Sequence, residues 1–251
     1  MVNLSPSVKA PDVNLTQVSF AFAGMALFSS LDFEIQGGQW TCLLGPSGCG
    51  KSTLLRLISG SLREGFSGNI RFDGVEKTKG QTAWMAQKDL LLPWLTVQNN
   101  VLLGARLRGE VSEQQIETAN SLLNKVGLGH CRHDLPATLS GGMRQRVALL
   151  RTLMEAKSVI LMDEPFSALD ALTRIKLQDL AFELVQNATV LLVTHDPLEA
   201  LRLGHRIHVM ADRPAHLSRA ILPPGRPPRN LDNPAMAAIH ATLLEQLVGT
   251  A

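Results

Sequence analysis

Apolar residues fall into short runs of two kinds along this chain. Val18 to Phe22 and Leu31 to Ile35 predict two strands around the turn Ala23-Gly24, and Trp40 to Leu44 predicts an apolar third. Val159-Ile160-Leu161-Met162 and Thr189-Val190-Leu191-Leu192-Val193 barely alternate, the pattern of parallel strands covered by helices on both faces. Thr82 to Ala86 is a further apolar strand. Between these, Leu95 to Leu150 reads as helical, and Ser112-Glu113-Gln114-Gln115 predicts a capped helix start before an amphipathic run to Val126. A helix from Lys51 and a terminal helix over Asn233 to Val248 complete the pattern. The class is α/β, with a main domain over 13–222 and a helical subdomain inserted at about 88–155. Beyond it, Pro223-Pro224-Gly225-Arg226-Pro227-Pro228 predicts a stiff linker leading into a short tail, 223–251 in all.

Composition narrows the function classes. With 251 residues, 45% of them hydrophobic, the chain can bury a large core. A net charge of +2 gives no field that would favour nucleic acid as a partner. Cys42, Cys49 and Cys131 lack metal-type spacing and predict a reducing compartment. Met1-Val2-Asn3-Leu4-Ser5-Pro6 has no basic stretch before an apolar run, so no secretion signal is expected there. The uncharged stretch Val13 to Leu31 holds Asn14, Thr16, Gln17, Ser19, Ser29 and Ser30, too polar to span a bilayer. Any membrane role would come through a partner.

Two glycine motifs carry chemistry. Gly45-Pro46-Ser47-Gly48-Cys49-Gly50-Lys51-Ser52-Thr53 matches G-x-x-x-x-G-K-[ST]. Such a loop wraps backbone N–H groups around the inner phosphates of a nucleotide, aims Lys51 at the outer ones and offers the Ser52 hydroxyl to magnesium. Leu139-Ser140-Gly141-Gly142-Met143-Arg144-Gln145-Arg146 opens a second helix, with Ser140 as N-cap and two glycines where free N–H groups favour a phosphate. Cys49 is a small loop residue whose thiol is expected to face oxidants when nucleotide is absent.

The Leu-Ser-Gly-Gly element combined with the phosphate loop resembles the ATP-binding subunits of ABC transporters. The resemblance runs from Leu15 to about Leu222. It implies a P-loop NTPase core with an antiparallel β subdomain and an inserted helical subdomain, and ATP and Mg2+ as cofactors. It also implies two copies packed head to tail, so that Ser140, Gly141 and Gly142 of one contact the ATP held by the other. Integral membrane permease subunits would be the partners, a periplasmic or lipid-anchored solute-binding protein would act indirectly, and the chain would sit on the cytoplasmic face of the inner membrane. Leu91-Leu92-Pro93-Trp94-Leu95-Thr96-Val97 and the stretch Asp163 to Arg174 look like the nitrate, sulfonate, taurine and hydroxymethylpyrimidine importer group.

The same resemblance assigns roles residue by residue. Asp163-Glu164 is similar to the end of a Walker B strand: Asp163 would hold magnesium through water, and Glu164 would orient or deprotonate the attacking water. Gln87 stands where the family has a glutamine that contacts magnesium and the lytic water, although by itself it reads as an ordinary surface glutamine. His195 matches the switch histidine that reaches the γ-phosphate, at a corner stiffened by Asp196-Pro197-Leu198-Glu199. Asp170, in Ser167-Ala168-Leu169-Asp170, matches the loop connecting the two nucleotide sites and also reads as a helix cap. The family stacks adenine on an aromatic residue, commonly Tyr, and this chain has no Tyr. Phe22 takes that place or is core in an alternating strand. Leu90, Leu91, Leu92 and Trp94 either form the groove for a permease helix or are buried.

The implied activity is import: ATP closes the dimer, closure reaches two membrane subunits, and hydrolysis reopens it. A soluble ABC ATPase of DNA repair or translation would be expected to carry paired ATPase domains, long coiled coils or zinc motifs. A P-loop kinase leaves the Leu-Ser-Gly-Gly element without a purpose.

Overall fold

A computed structural model describes residues 10–62, 64–73 and 80–248. The amino-terminal stretch read above for a secretion signal lies outside them. Two sheets share one buried interface. Strands β1 (Val13–Phe22), β2 (Met25–Ile35) and β4 (Phe66–Phe72) form an antiparallel sheet in the order β2-β1-β4. The larger sheet runs β5 (Thr82–Met85), β6 (Val159–Asp163), β7 (Thr189–Val193), β3 (Trp40–Leu44), β8 (Arg206–Ala211) and β9 (His216–Leu217), parallel except for its last strand.

The apolar runs without alternation follow from this layering. Leu43, Leu161, Leu191 and Val193 face the antiparallel sheet and helix α1 (Lys51–Ile58), packing with Val13, Phe28, Phe33 and Leu54. Their neighbours Cys42, Leu44, Ile160, Met162, Val190 and Leu192 face the opposite way, into a second core built with the helices. Alternate side chains of one strand thus serve two cores, and every position must be apolar.

The sequence expectation for the first hairpin was too short. Both strands extend well beyond Val18 to Phe22 and Leu31 to Ile35, because Thr16, Gln17, Ser29 and Ser30 are outward residues of half-buried strands. The turn falls at Ala23 and Gly24, both at positive φ. β4 was not anticipated; its Gly68, at φ +93°, lets the backbone press against that of Gln17.

The stretch from Leu95 to Leu150 is four helices, α2 (Val97–Val101), α3 (Leu103–Arg108), α4 (Glu113–Lys125) and α5 (Gly141–Leu153). Gly109 and Gly127, both at positive φ, end α3 and follow α4. Ser112 and Gln115 form the expected capping box. Buried Asn100 organises the preceding loop: its amide donates to the carbonyls of Leu92, Leu95 and Thr96, and its oxygen accepts from Leu92 N.

After β6 come α6 (Ala171–Leu184), β7, α7 (Pro197–Leu203) and β8, and α8 (Pro234–Val248) closes the described chain. The proline-rich stretch expected as a linker is mostly exposed, with Pro223 buried at its start and Arg229 buried just after it. Arg229, 7% exposed, donates Nε to Pro224 O, Nη2 to Pro223 O and Nη1 to Leu201 O and Gly204 O at 2.7–3.0 Å. The last two carbonyls lie at the carboxyl end of α7, where a cation is favoured. Met236 and Leu243 of α8 then enter the helical core. Arg229→Ala should strand these carbonyls and lower the unfolding free energy by about 2–4 kcal/mol, read from the urea midpoint; an unchanged midpoint would mean that the tail does not depend on this anchor.

Candidate nucleotide site

The phosphate loop is shaped by what surrounds it. β3 ends at Leu44, and a Cβ on the next residue, Gly45, would collide with the carbonyl of Met210 on β8. Gly48 (φ +81°) and Gly50 (φ +110°) are left-handed, and Gly50 also lies against the ring of Phe28. The loop delivers the chain into α1, whose first turn holds no acidic residue to neutralise its free N–H groups. Lys51 is buried, and its Nζ donates to Gly45 O and Pro46 O at 2.7 Å each. A cavity of 220 Å³ stands above, lined by Ser47, Gly48, Gly50, Lys51, Ser52 and Thr53 on one side and by Gln87, Asp163 and Glu164 on the other.

Cys49 departs from the expectation of an exposed thiol. It is 3% exposed and packs under the loop in the core shared with the antiparallel sheet, its Sγ beside Gly45. The loop above it and the core around it keep the thiol from solvent.

Carboxylates converge from the strand end. Asp163 is the last residue of β6 and is 4% exposed. Burial pushes its carboxyl above the ordinary range, the Ser52 hydroxyl hydrogen-bonded to it pulls the other way, Glu164 adds to the rise and Lys51 opposes it. Glu164 sits at φ +49°, its N–H donating to Val193 O at 2.9 Å. Its side chain is bracketed by Gln87, with Nε2 3.3 Å from Oε2, and by His195, with Nδ1 3.2 Å from Oε1. Its carbonyl accepts from Ser167 Oγ and from Gln145 Nε2, both at 3.0 Å. Gln145, to which the sequence assigns no role, is a buried polar residue on α5 and ties that helix to the backbone of Glu164.

His195 is oriented from behind. Asp196 caps α7 through Leu198 N and Glu199 N, and its other oxygen lies 3.3 Å from Arg174 Nη1. Arg174 also donates to Leu169 O, so the loop before α6 is held to the corner carrying His195. Asp170 caps α6 by accepting from Thr173 N at 3.0 Å, and hydrogen bonding from the Thr173 side chain and then from its backbone holds the carboxyl below the ordinary range.

Ser140 caps α5, accepting from Met143 N at 3.3 Å, with Gly141 and Gly142 in the first turn. None of these three, nor Asp170, lines the cavity above the phosphate loop. Space at the two glycines differs. A Cβ on Gly142 would come 3.2 Å from Ala168 O, whereas one on Gly141 would have room, its nearest neighbour 4.0 Å away.

Phe22 is 71% exposed, so the reading of it as core is wrong: the hairpin tip projects past the packed layer, and Phe20 turns inward instead. Phe22 lines a second cavity of 420 Å³ with Phe20, Met25, Leu62, Arg56 and Arg213, and Leu27 and Thr53 are shared with the first. A polar, anion-ready cavity thus lies next to an apolar one. The hydroxyl of Ser52 and the carboxylate of Asp163, hard oxygen donors in contact beside the phosphate loop, fit magnesium, which keeps several waters and few protein ligands. Among the described residues no group of three or more His, Cys, Asp or Glu could hold a metal by itself.

The ABC transporter family model matches residues 28–167. An uncharacterized ABC transporter ATP-binding protein of Haemophilus influenzae is 47% identical over 94% of this chain and 99% of its own. The aliphatic sulfonates import ATP-binding protein SsuB 2 of Pseudomonas syringae pv. tomato is 42% identical, covering 90% of this chain and 94% of its own. Among solved structures, the ATP-binding cassette MJ0796, a dimer in a post-hydrolysis state bound to ADP and Pi, superposes with a TM-score of 0.73 at 29% identity over 85% of this chain and all of that one.

The raised Asp163 carboxyl gives a testable pH signature. Because the fold favours its protonated form, wild-type stability falls as pH rises from the ordinary carboxylate value through the raised one. Asp163→Asn should therefore raise the urea midpoint of the nucleotide-free protein at neutral pH, and the advantage should vanish below the ordinary carboxylate range. A pH-independent difference would place its origin elsewhere.

Proposed function

We propose that this chain, which belongs to the ABC transporter family, hydrolyses ATP to drive import of a small solute through membrane permease subunits against which it docks. The observation that carries the reading is Glu164, bracketed by Gln87 and His195 at the rim of a cavity floored by the phosphate loop. The order of Gly45-to-Thr53, Gln87, Ser140-Gly141-Gly142, Asp163-Glu164, Asp170 and His195 along the chain supports it.

In this reading the phosphates of ATP lie on the N–H groups of the loop and of α1, and Lys51 leaves the carbonyls of Gly45 and Pro46 to meet the outer phosphates. Ser52, Asp163 and Gln87 would hold Mg2+. The ion neutralises charge on the outer phosphates when bound. Glu164 orients the attacking water and accepts its proton, and His195, pivoting from its contact with Glu164, reaches the γ-phosphate. Phe22 offers its face to the base.

Ser140, Gly141 and Gly142 lie outside this cavity, at a helix start with unpartnered N–H groups in its first turn. We assign them to the ATP of a second, head-to-tail copy, with Asp170 in the loop between the two sites. Among the described residues no helix is long and apolar enough to cross a membrane, and we place the chain on the cytoplasmic face of the inner membrane, held by the permease. A periplasmic or lipid-anchored binding protein would supply the solute. The sulfonate importer relatives make aliphatic sulfonates the first cargo to test, within a group that includes nitrate, taurine and hydroxymethylpyrimidine.

Glu164→Gln should bind ATP yet lose turnover by at least about a hundredfold, since a positioned base contributes on that scale, and should accumulate as a dimer in size-exclusion chromatography with ATP. Adding Gly141→Asp, where a side chain has room in the single chain, should return it to monomer by setting a carboxylate against the partner's γ-phosphate. A dimer that persists would refute the head-to-tail arrangement.

The docking surface follows from exposure. Leu91 is buried, whereas Trp94 is 71% and Leu90 59% exposed on a loop fixed by Asn100, Arg144 and Arg151. We assign Trp94 as the anchor for a permease helix. Trp94→Ala should keep the ATPase rate of the free protein within about twofold, as expected of a surface change, while uptake and co-purification with the permease are lost; uptake at the wild-type rate would move the surface elsewhere.

A further inference from the structure

The turn between β8 and β9 brings a cation onto the nucleotide groove from a part of the chain that none of the motifs includes. β8 pairs in parallel with β3, Leu44 opposite Val209, so β8 emerges beside the phosphate loop. Ala215 N then donates to Leu27 O at 2.8 Å, which folds residues 212–215 over the loop toward the hairpin of β1 and β2. Arg213 lies at the crest. Its Nη2 donates to Gly48 O at 2.7 Å, and a Cβ on Gly48 would sit 2.8 Å from that nitrogen.

This contact uses one corner of the guanidinium. Nη1 and Nε have no hydrogen-bond partner among the described residues, and Arg213 is exposed, lining the apolar cavity that also holds Phe22, Met25, Leu27 and Arg56. That cavity is next to the phosphate cavity, with Leu27 and Thr53 lining both. A ligand reaching from one to the other has a polyanion at one end and a flat, apolar group at the other. A guanidinium suits the junction, because its plane stacks on a π-system while its edge donates to ribose or phosphate oxygens. Phe22 carries no hydroxyl to supply such donors.

We propose that Arg213 is a nucleotide-binding residue that grips the nucleoside end of ATP while bracing the phosphate loop through Gly48. The proposal rests on the reading of Gly45 to Thr53 as the phosphate site. The bond to Gly48 O holds the guanidinium in place beside both cavities.

Calorimetric titration of the full chain with ADP and with pyrophosphate, each with Mg2+, separates the two ends of the ligand without turnover. Arg213→Ala should weaken ADP about tenfold, the scale of losing one cation–π or charged hydrogen bond, and change pyrophosphate by less than about twofold. Arg213→Lys, whose ammonium can still donate to Gly48 O but has no plane, should weaken ADP to a similar degree. Equal losses for both ligands that Arg213→Lys repairs would leave only the brace and overturn the nucleoside contact. Undiminished ADP binding in Arg213→Ala would overturn it as well. Lys51→Ala should weaken both ligands; if it weakens neither, the phosphate-site reading itself fails.

Discussion

Parallel pairing of β5, β6, β7 and β3 is the constraint on which the site depends. Met85 stands opposite Met162, and both Asp163 and Leu43 stand opposite Val193, so the four strands end along one edge. The residues that follow, Gln87, Glu164, His195 and Gly45, are therefore delivered side by side although they are up to 150 positions apart in number. Ligands of open α/β sheets bind at this edge because helices cover both faces and the loops there are free to carry function. The dense apolar strands provide the rigidity that such positioning needs.

Glu164 is where the elements meet. It sits in a left-handed conformation that a non-glycine residue adopts at some cost, compensated by a backbone bond to β7 and by bonds to its carbonyl from α5 and from Ser167. Gln145 couples it to the helix opened by Ser140, and Arg174 couples the loop before α6 to the corner bearing His195. A shift of α5 would thus be felt at the backbone of Glu164, and a shift of α6 at the corner that carries His195. A site completed by a second copy would be coupled in this way, since α5, which Ser140 caps, hydrogen-bonds through Gln145 to the backbone of Glu164.

Stability and function are set against each other at the strand end. Asp163 is buried beside another carboxylate with one hydroxyl as its hydrogen-bond partner, a state that disfavours its charge. Magnesium bound there would relieve that cost. At the carboxyl-terminal end the balance is simpler, since Arg229 has carbonyl partners around its guanidinium and locks the tail to α7.

Local chemistry decided much of this in advance. The glycine loop, the caps at Ser112, Ser140, Asp170 and Asp196, and the strands apolar on both faces are legible because their causes lie within a few residues: a φ that only glycine adopts easily, a hydroxyl or carboxylate within reach of free N–H groups, two faces to bury. Family resemblance added the order of the motifs. The fates of Cys49, Phe22, Leu91 and Trp94 were decided only by tertiary structure, since apolar residues of similar type go under a loop, to a hairpin tip, into a core or out to solvent according to what packs above them. The same holds for Gln145, Arg213 and Arg229, single polar residues to which the sequence assigns no role, whose partners stand between 5 and 165 residues away and come within hydrogen-bonding range only when the sheet and its helices close.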